Sequence, residues 1–295
     1  MTPALDPADA PLGAHVSIAG GTHLAPARAR AIGATAMQIF TKQANRWAER
    51  TCEDAECILF RAELARTDVR VTVAHDSYMI NLASPDPVLR QRSVESFAAE
   101  LARCEALELD FLVSHPGNYM DERASGIERN AESIIACLER VPGRTRLCLE
   151  TTAGAGTVLG ATFEELAAIR DLIPHHLRDR VGVCADTCHL HSAGYDIVGA
   201  FDDVWTRFDD VIGLEHLWVM HLNDSKVPFG SRRDRHQLIG FGTIGEEPFR
   251  RIMNEERLAH AAKLIETPKL DSDFVTDSCM LLLLRGYLAA PVASG

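Results

Sequence analysis

VGVCAD, residues 181–186, is a short apolar run that ends on a carboxylate, and five more runs in the chain are built the same way. VRVTVAH (69–75) ends on His75, DFLVSH (110–115) on His115, RLCLE (146–150) on Glu150, LWVMH (217–221) on His221 and KLIE (263–266) on Glu266. With Asp186 included, these terminal residues recur at intervals of 35 to 45 residues, the span of one strand, one helix and two connecting loops. The runs are short and rich in β-branched residues, as buried parallel strands are. A chain that puts a His or a carboxylate at the C-terminal end of six consecutive barrel strands aims all six at one point. The simplest reason to bring three imidazoles and three carboxylates together is to hold metal.

Two further runs, AHVSIA (14–19) and TAMQIF (35–40), precede His75 and raise the strand count to eight. Helical patterns fill the gaps at 87–107, 128–141, 162–172, 246–259 and 271–289. The first has a proline at its start, and the third opens on Thr162 with Glu165 three residues on, a capping-box pattern. Strand then helix, repeated eight times, predicts an α/β fold of the (β/α)8 TIM barrel type. An open doubly wound sheet is the rival, but it would not converge six consecutive strand ends. The length of 295 residues suits one barrel domain over 13–290. The N-terminal MTPALDPADAPL lacks the basic region and apolar core of a signal peptide, and residues 1–12 are expected to form a flexible tail. The segments 151–160, 187–199 and 222–245 read as long loops on the active face.

Hydrophobic content of 46% with 24% charged residues is ordinary for a globular enzyme. The longest apolar stretch, CMLLLLRGYLAA, is interrupted by Arg285, so no membrane partner is expected. Eight scattered cysteines read as reduced thiols of a cytoplasmic protein. Cys148 and Cys184 fall inside strands. Cys184 and Cys188 flank Asp186 and are expected to pack near the site rather than to bind metal. A net charge of −12 argues against a generally basic nucleic-acid binder, although a local basic patch can sit on an acidic body.

Three more ligand candidates lie in the loops: His189 in DTCH, and Asp234 and His236 in DRH. An Asp-x-His pair on extended chain points both side chains one way. With His189 it supplies three protein ligands, the number a catalytic zinc site uses. The nine candidates are five histidines and four carboxylates. Three divalent ions among four carboxylates would leave the site at roughly +2, suited to a phosphate diester. Clustered metals stabilise both the attacking and the leaving oxygen of an in-line displacement. A lone His at a strand end is usually structural, but the same structural role repeated six times in register is not credible. His23, His175, His176, His191, His216 and His260 are assigned no such part.

Three loops carry further features. KVPFGSRRDRH (226–236) sets Lys226, Arg232, Arg233 and Arg235 around Asp234, which favours phosphate contacts. FTKQANRW (40–47) offers Lys42 and Arg46 beside Trp47, a weak stacking signal. In HDSYMINLASP (75–85), Tyr78 and Met79 either wedge into a duplex or pack in the core.

GAHVSIAGG (13–21), FTK (40–42), HDSYMINL (75–82), HPG (115–117), ETTAGAG (150–156), VGVCADTCH (181–189), AGYD (193–196), MHLND (220–224), KVPFGSRRDRH (226–236) and GFGTIG (240–245) together resemble the endonuclease IV family of DNA-repair enzymes, over residues 13 to about 267. The resemblance implies a (β/α)8 barrel that cleaves the phosphodiester 5′ to abasic sites in double-stranded DNA and removes 3′-blocking groups. It implies three Zn2+ ions, with Mn2+ in some relatives. By motif, Glu150 bridges two metals, His75 and His115 complete the first, and Asp186, His221 and Glu266 complete the second. His189, Asp234 and His236 hold the third. Glu150, Asp186 and Glu266 are thus the catalytic candidates. The DNA-reading positions are Asn45, Arg46, Tyr78, Met79, Lys226, Arg232 and Arg235. The sequence departs from the family pattern at Asn45, where an Arg is usual with Arg46 here one place later, at Met79 for Leu, and at Thr151 and Ala155 for amide residues. A monomer is expected, because a bent duplex needs the barrel face free. Two alternatives are a metal-dependent sugar isomerase or epimerase on the same barrel, and a DNA-damage binder without turnover.

Overall fold

The apolar runs alternate side chains between two environments, and that alternation closes the sheet. In a computed structural model describing residues 6–270 and 273–288, the strands are β1 Leu12–His15, β2 Ala36–Phe40, β3 Val71–His75, β4 Phe111–Ser114, β5 Arg146–Glu150, β6 Val181–Asp186, β7 Leu217–His221 and β10 Ala262–Ile265. A two-stranded ribbon, β8 Asp224–Ser225 with β9 His236–Gln237, is inserted after β7. The eight long strands pair in parallel as a closed ring in the order β1-β10-β7-β6-β5-β4-β3-β2. The helices are α1 Ala25–Ala31, α2 Asp54–Leu64, α3 Pro87–Leu107, α4 Arg123–Arg140, α5 Phe163–Leu172, α6 His175–Arg178, α7 Thr187–Ala193, α8 Phe201–Val211, α9 Glu246–Asn254 and α10 Asp273–Gly286. Among the described residues no helix is long and apolar enough to cross a membrane.

One side-chain track of each strand fills the barrel. Ala36, Val73, Phe111, Val113, Cys148, Cys184, Val219, Ala262 and Leu264 form that inner cluster. Two residues further along the same tracks stand His75, His115, Glu150, Asp186, His221 and Glu266. The inner packing therefore aims the ligand candidates: a one-residue register slip would turn each from the axis to the helix layer. The opposite track, with Leu112, Leu147, Leu149, Val183 and Ile265, joins the larger core under the helices. Cys148 and Cys184 are inside the barrel as expected, and all eight cysteines are free.

The helix starts follow their caps. Asp86 accepts from the backbone N–H groups of Val88 and Leu89 ahead of α3. Thr162 accepts from Glu165 N as expected, but Glu165 Oε2 accepts from Gly160 N and Ala161 N, tying the loop before the helix instead of completing the reciprocal box.

Several boundaries differ from those read in the sequence. β1 occupies 12–15 rather than 14–19, because the chain leaves the sheet after His15 to enter the turn closed by Gly21 N on Ile18 O. Ordered structure reaches into the expected tail: Pro7–Asp9 is a 3-10 turn, Ala10 and Pro11 are buried, and Lys263 N donates to Pro11 O. α4 begins five residues earlier than read, and α9 ends at Asn254 before a 3-10 turn at Glu256–Leu258. The segment 187–199 is not all loop; it opens with α7, capped by Asp186 accepting from His189 N at 2.9 Å. Positions 271, 272 and 289 of the last expected helix lie outside the described residues.

Gly13 on β1 shows how tightly the ring closes. A Cβ there would lie 1.6 Å from the carbonyl oxygen of Ala36 on β2. Gly13→Ala is therefore expected to destabilise the protein by about 3 kcal/mol, the upper range of overpacking. A chemical-denaturation midpoint matching the wild type would refute this close approach.

Candidate metal centre

Glu150 ends β5 with no exposed surface, and its two oxygens address different neighbours. Oε2 lies 3.0 Å from His75 Nε2 and 3.0 Å from His115 Nε2. Oε1 lies 2.9 Å from His221 Nδ1 and 3.4 Å from His189 Nδ1. Among the described residues five sets have donor atoms all within 4.8 Å of one another, and three hold the nine candidates: His75, His115 and Glu150; Glu150, Asp186, His221 and Glu266; His189, Asp234 and His236; the other two add Cys184 to Glu150 and His221, and Cys188 to Asp186 and His236. All nine candidates read in the sequence are brought together. Asp234 Oδ2 is 3.3 Å from His189 Nε2 and its Oδ1 3.1 Å from His236 Nε2, so the Asp-x-His pair points one way.

The outward nitrogens are fixed by neighbours. His75 Nδ1 donates to Asp76 O (3.0 Å), His189 Nδ1 to Thr151 O (2.8 Å) and His236 Nδ1 to Glu266 O (3.3 Å). Each bond holds a proton on Nδ1 and turns Nε2 to the cluster, so that Nε2 is the nitrogen freed when the ring is neutral, as ligating histidines are held in metal sites. Asn223 Nδ2 donates to Asp186 Oδ2 (2.7 Å), and Asn223 Oδ1 accepts from Glu266 N (2.9 Å). Thr151 Oγ1 accepts from Asp186 N (2.9 Å). His236 Nε2 is buried and makes no hydrogen bond, although two carboxylates stand close to it. Imidazole nitrogens and carboxylate oxygens that converge on shared points are what a divalent metal requires, and a mixed His and carboxylate set suits zinc. The residues present fit such ions.

Burial alone would push the buried imidazoles down. At His75 the hydrogen bond and charge of Glu150 outweigh it and hold the ring at about 10. At His236 the charges of Asp186 and Asp234 outweigh it and hold the ring at about 9. Burial would push Glu150 up, but the charges of His115 and His221 hold it well below the usual carboxylate range. Cys184 is pushed well up by burial and the Glu150 charge, and Cys188 to about 11 by burial and Asp186, so both thiols stay protonated beside the site.

The loop residues divide. Tyr78 and Met79 are exposed, at 66% and 37%, so core packing is not their role. Asn45 and Arg46 are exposed nearby, and Tyr78 N donates to Ala44 O. Lys42 departs from expectation: it is buried, and its ammonium bonds Glu49 Oε1 (2.6 Å) and Ser96 Oγ (3.0 Å), so it offers no free cation. Trp47 is covered by the Arg92 guanidinium at 4.4 Å. Lys226, Arg232, Arg233 and Arg235 are exposed, on a loop pinned to α7 by Gly230 N on His191 O and Arg232 N on Ser192 O. His15, Gln38, Asp76 and Asn223 line or brace the centre without having been singled out. Only their places inside recognisable motifs or on an inward track could have flagged them.

The fold and site are those of a TIM barrel with candidate metal ligands at its C-terminal mouth, and residues 26–278 match the xylose isomerase-like TIM barrel family. The chain belongs, within it, to the endonuclease IV family. It is 46% identical over 286 residues to the probable endonuclease 4 of Chloroflexus aggregans, covering 95% of this chain and 99% of that one. It is 44% identical to the probable endonuclease 4 of Geobacter sulfurreducens, with 89% of each covered. Endonuclease IV from Thermus thermophilus superposes with a TM-score of 0.84 at 35% identity, over 94% of this chain and 98% of that one. A D-tagatose 3-epimerase-like protein, at 18% identity and a TM-score of 0.67 over 93% and 96% of the two chains, shares the fold alone.

The raised imidazoles give a pH signature. His75 and His236 titrate at about 10 and about 9 in the metal-free fold against about 6.5 unfolded. Their stabilisation is fully present below about pH 6.5 and is lost as pH rises through the folded values. Metal binding needs neutral imidazoles and strengthens with pH. The chelated protein is thus expected to lose thermal stability from pH 6.5 to 10, and the gain in Tm on adding zinc to widen. Parallel Tm–pH curves with and without metal would contradict this.

Proposed function

We propose that this protein hydrolyses the phosphodiester 5′ to abasic sites in double-stranded DNA, and removes 3′-blocking groups, with three divalent metal ions. The observation that carries the reading is the sharing of Glu150 between two ligand groups, with a third group beside them, on one face of the barrel. His75, His115 and Glu150 would hold the first ion, Glu150, Asp186, His221 and Glu266 the second, and His189, Asp234 and His236 the third. Zinc suits these donors best, with manganese an alternative. Divalent ions held by these residues would lower the pKa of a bound water and would neutralise charge on the phosphate oxygens.

The chain's own residues position the substrate. A cavity of about 210 Å³ opens beside the ligands, lined by His115, His189, Asp234, Tyr78, Asn118, Thr152 and Ala155. It is small against the roughly 300–1,000 Å³ of ordinary ligand sites, which favours a sugar without a base. Tyr78 lines this cavity and, with the adjacent exposed Met79, would form the apolar wedge. Lys226, Arg232 and Arg235 take backbone phosphates, and Asn45 and Arg46 approach the duplex from the loop after β2. The protein acts as a monomer, with the mouth of the barrel open to a bent duplex.

The deciding experiment is incision of a labelled duplex carrying one abasic analogue, before and after chelation, with metal analysis of the same protein. Chelator-sensitive cleavage 5′ to the lesion with about three metals per chain is expected; one or two metals and no cleavage would point to a sugar substrate. Glu150→Gln should lower incision by on the order of 10³-fold, about 4 kcal/mol, with an unchanged circular dichroism spectrum; near wild-type nicking would sink the shared-carboxylate role. Arg235→Ala should weaken binding to all duplexes and lower the salt slope by about one. A slope identical to that of the wild type would remove Arg235 from the phosphate contacts.

A further inference from the structure

Gln38 stands on the inward track of β2, between Ala36 and Phe40, with no exposed surface. Its amide is the meeting point of three side chains from other strands. Oε1 accepts from His221 Nε2 at 2.8 Å, and Nε2 donates to Glu266 Oε1 at 2.6 Å and to His15 Nδ1 at 3.0 Å. Only this orientation of the amide works, since the reverse would set its oxygen against the Glu266 carboxylate. Both amide protons and the carbonyl oxygen are used, so the group has no freedom to turn.

The consequence falls on two ligands of one group. A proton held on His221 Nε2 by Gln38 leaves Nδ1 as the lone-pair nitrogen. Nδ1 is the atom that faces Glu150 Oε1 (2.9 Å), Glu266 Oε2 (3.4 Å) and Asp186 Oδ2 (3.9 Å). The same amide holds Glu266 by Oε1 and leaves Oε2 turned to that shared point. His15, on β1 beside Gln38 in the sheet register, accepts the second amide proton and stops the amide from rotating. His221 differs here from His75, His189 and His236, whose outward nitrogen is Nδ1 and whose partner is a main-chain carbonyl.

We propose that Gln38, braced by His15, is a positioning residue that sets the tautomer of His221 and the carboxylate orientation of Glu266, and so governs how firmly the second metal is held. This rests on the metal reading given above. The ligand would be the divalent ion itself, and Gln38 would not touch it.

The test begins with the metal-loaded wild type. Long-range 1H–15N spectra of the histidine rings are expected to show His221 protonated on Nε2 and ligating through Nδ1. A proton on Nδ1 would overturn the proposal without any variant being made. The second arm is Gln38→Met, which keeps length and burial but removes the amide. Its metal is expected to be lost to chelator 10–100-fold faster than in the wild type, with kcat on an abasic duplex reduced and KM unchanged. Equal release rates in the two proteins would reject the role of Gln38 while leaving the metal centre intact. A wild type that binds no divalent metal would reject both this proposal and the function on which it rests.

Discussion

A carboxylate without solvent on the axis of a barrel is the constraint around which this structure is organised. Burying the Glu150 charge is costly unless neighbours compensate. Four imidazoles, those of His75, His115, His189 and His221, do so within 3.4 Å. Burial alone would lower these imidazoles, but the carboxylates, strengthened where water is excluded, hold His75, His189 and His221 above the ordinary range. The metal-free arrangement is thus a proton-filled version of a metal site. Protons and metal ions compete for the same lone pairs, which ties loading to pH and metal to fold.

The barrel makes this concentration of charge possible because each strand has two tracks. The inner track ends on a ligand and the outer track is anchored in aliphatic core, so aim and stability come from opposite faces of one strand. Beyond the strand ends, short connections complete the centre. Asp186 caps α7 through His189 N and presents its other oxygen to the cluster. One residue therefore places a second ligand, and α7 in turn holds the loop of Arg232. Asp224 does related work behind the site, accepting from the backbone of Gly240, Gly242 and Ile244 to shape the loop after β8 and β9.

What was legible in the sequence is what repeats. The six strand ends, the length of the interval and the two loop motifs carried enough regularity to place all nine ligand candidates. Single events were harder to read. α7 was hidden because DTCHLHSA follows directly on a strand, with no linker to mark a new element. β1 was displaced because AHVSIA keeps its apolar pattern past the point where the chain turns. Lys42 looked like a free cation because its partners, Glu49 and Ser96, are remote from it in pattern though close in space. Gln38 and His15 escaped notice because a polar residue on a strand reads as solvent-facing unless the register of its neighbours is known.

The departures from the family pattern sort by what they touch. Thr151 replaces an amide, yet its hydroxyl accepts from Asp186 N and its carbonyl from His189 Nδ1. It therefore belongs to the support of the ligands, a task a hydroxyl can perform. Ala155 lines the cavity and brings no polar atom of its own side chain to it. Asn45 stands exposed on the loop after β2, away from every ligand bond. Asn45 and Ala155 make no bond to any candidate ligand, so these two departures leave the donor geometry alone. The strand-end ligands are tightly braced: Glu150 stands within 3.4 Å of four imidazoles, and Asn223 and Thr151 fix Asp186 and Glu266. The candidate DNA-contact residues Asn45, Arg46, Tyr78, Met79, Lys226, Arg232 and Arg235 are exposed side chains on loops. A misplaced ligand would disturb the buried Glu150 charge on which the rest of the barrel mouth is built, whereas a changed loop side chain would leave that charge and its partners in place.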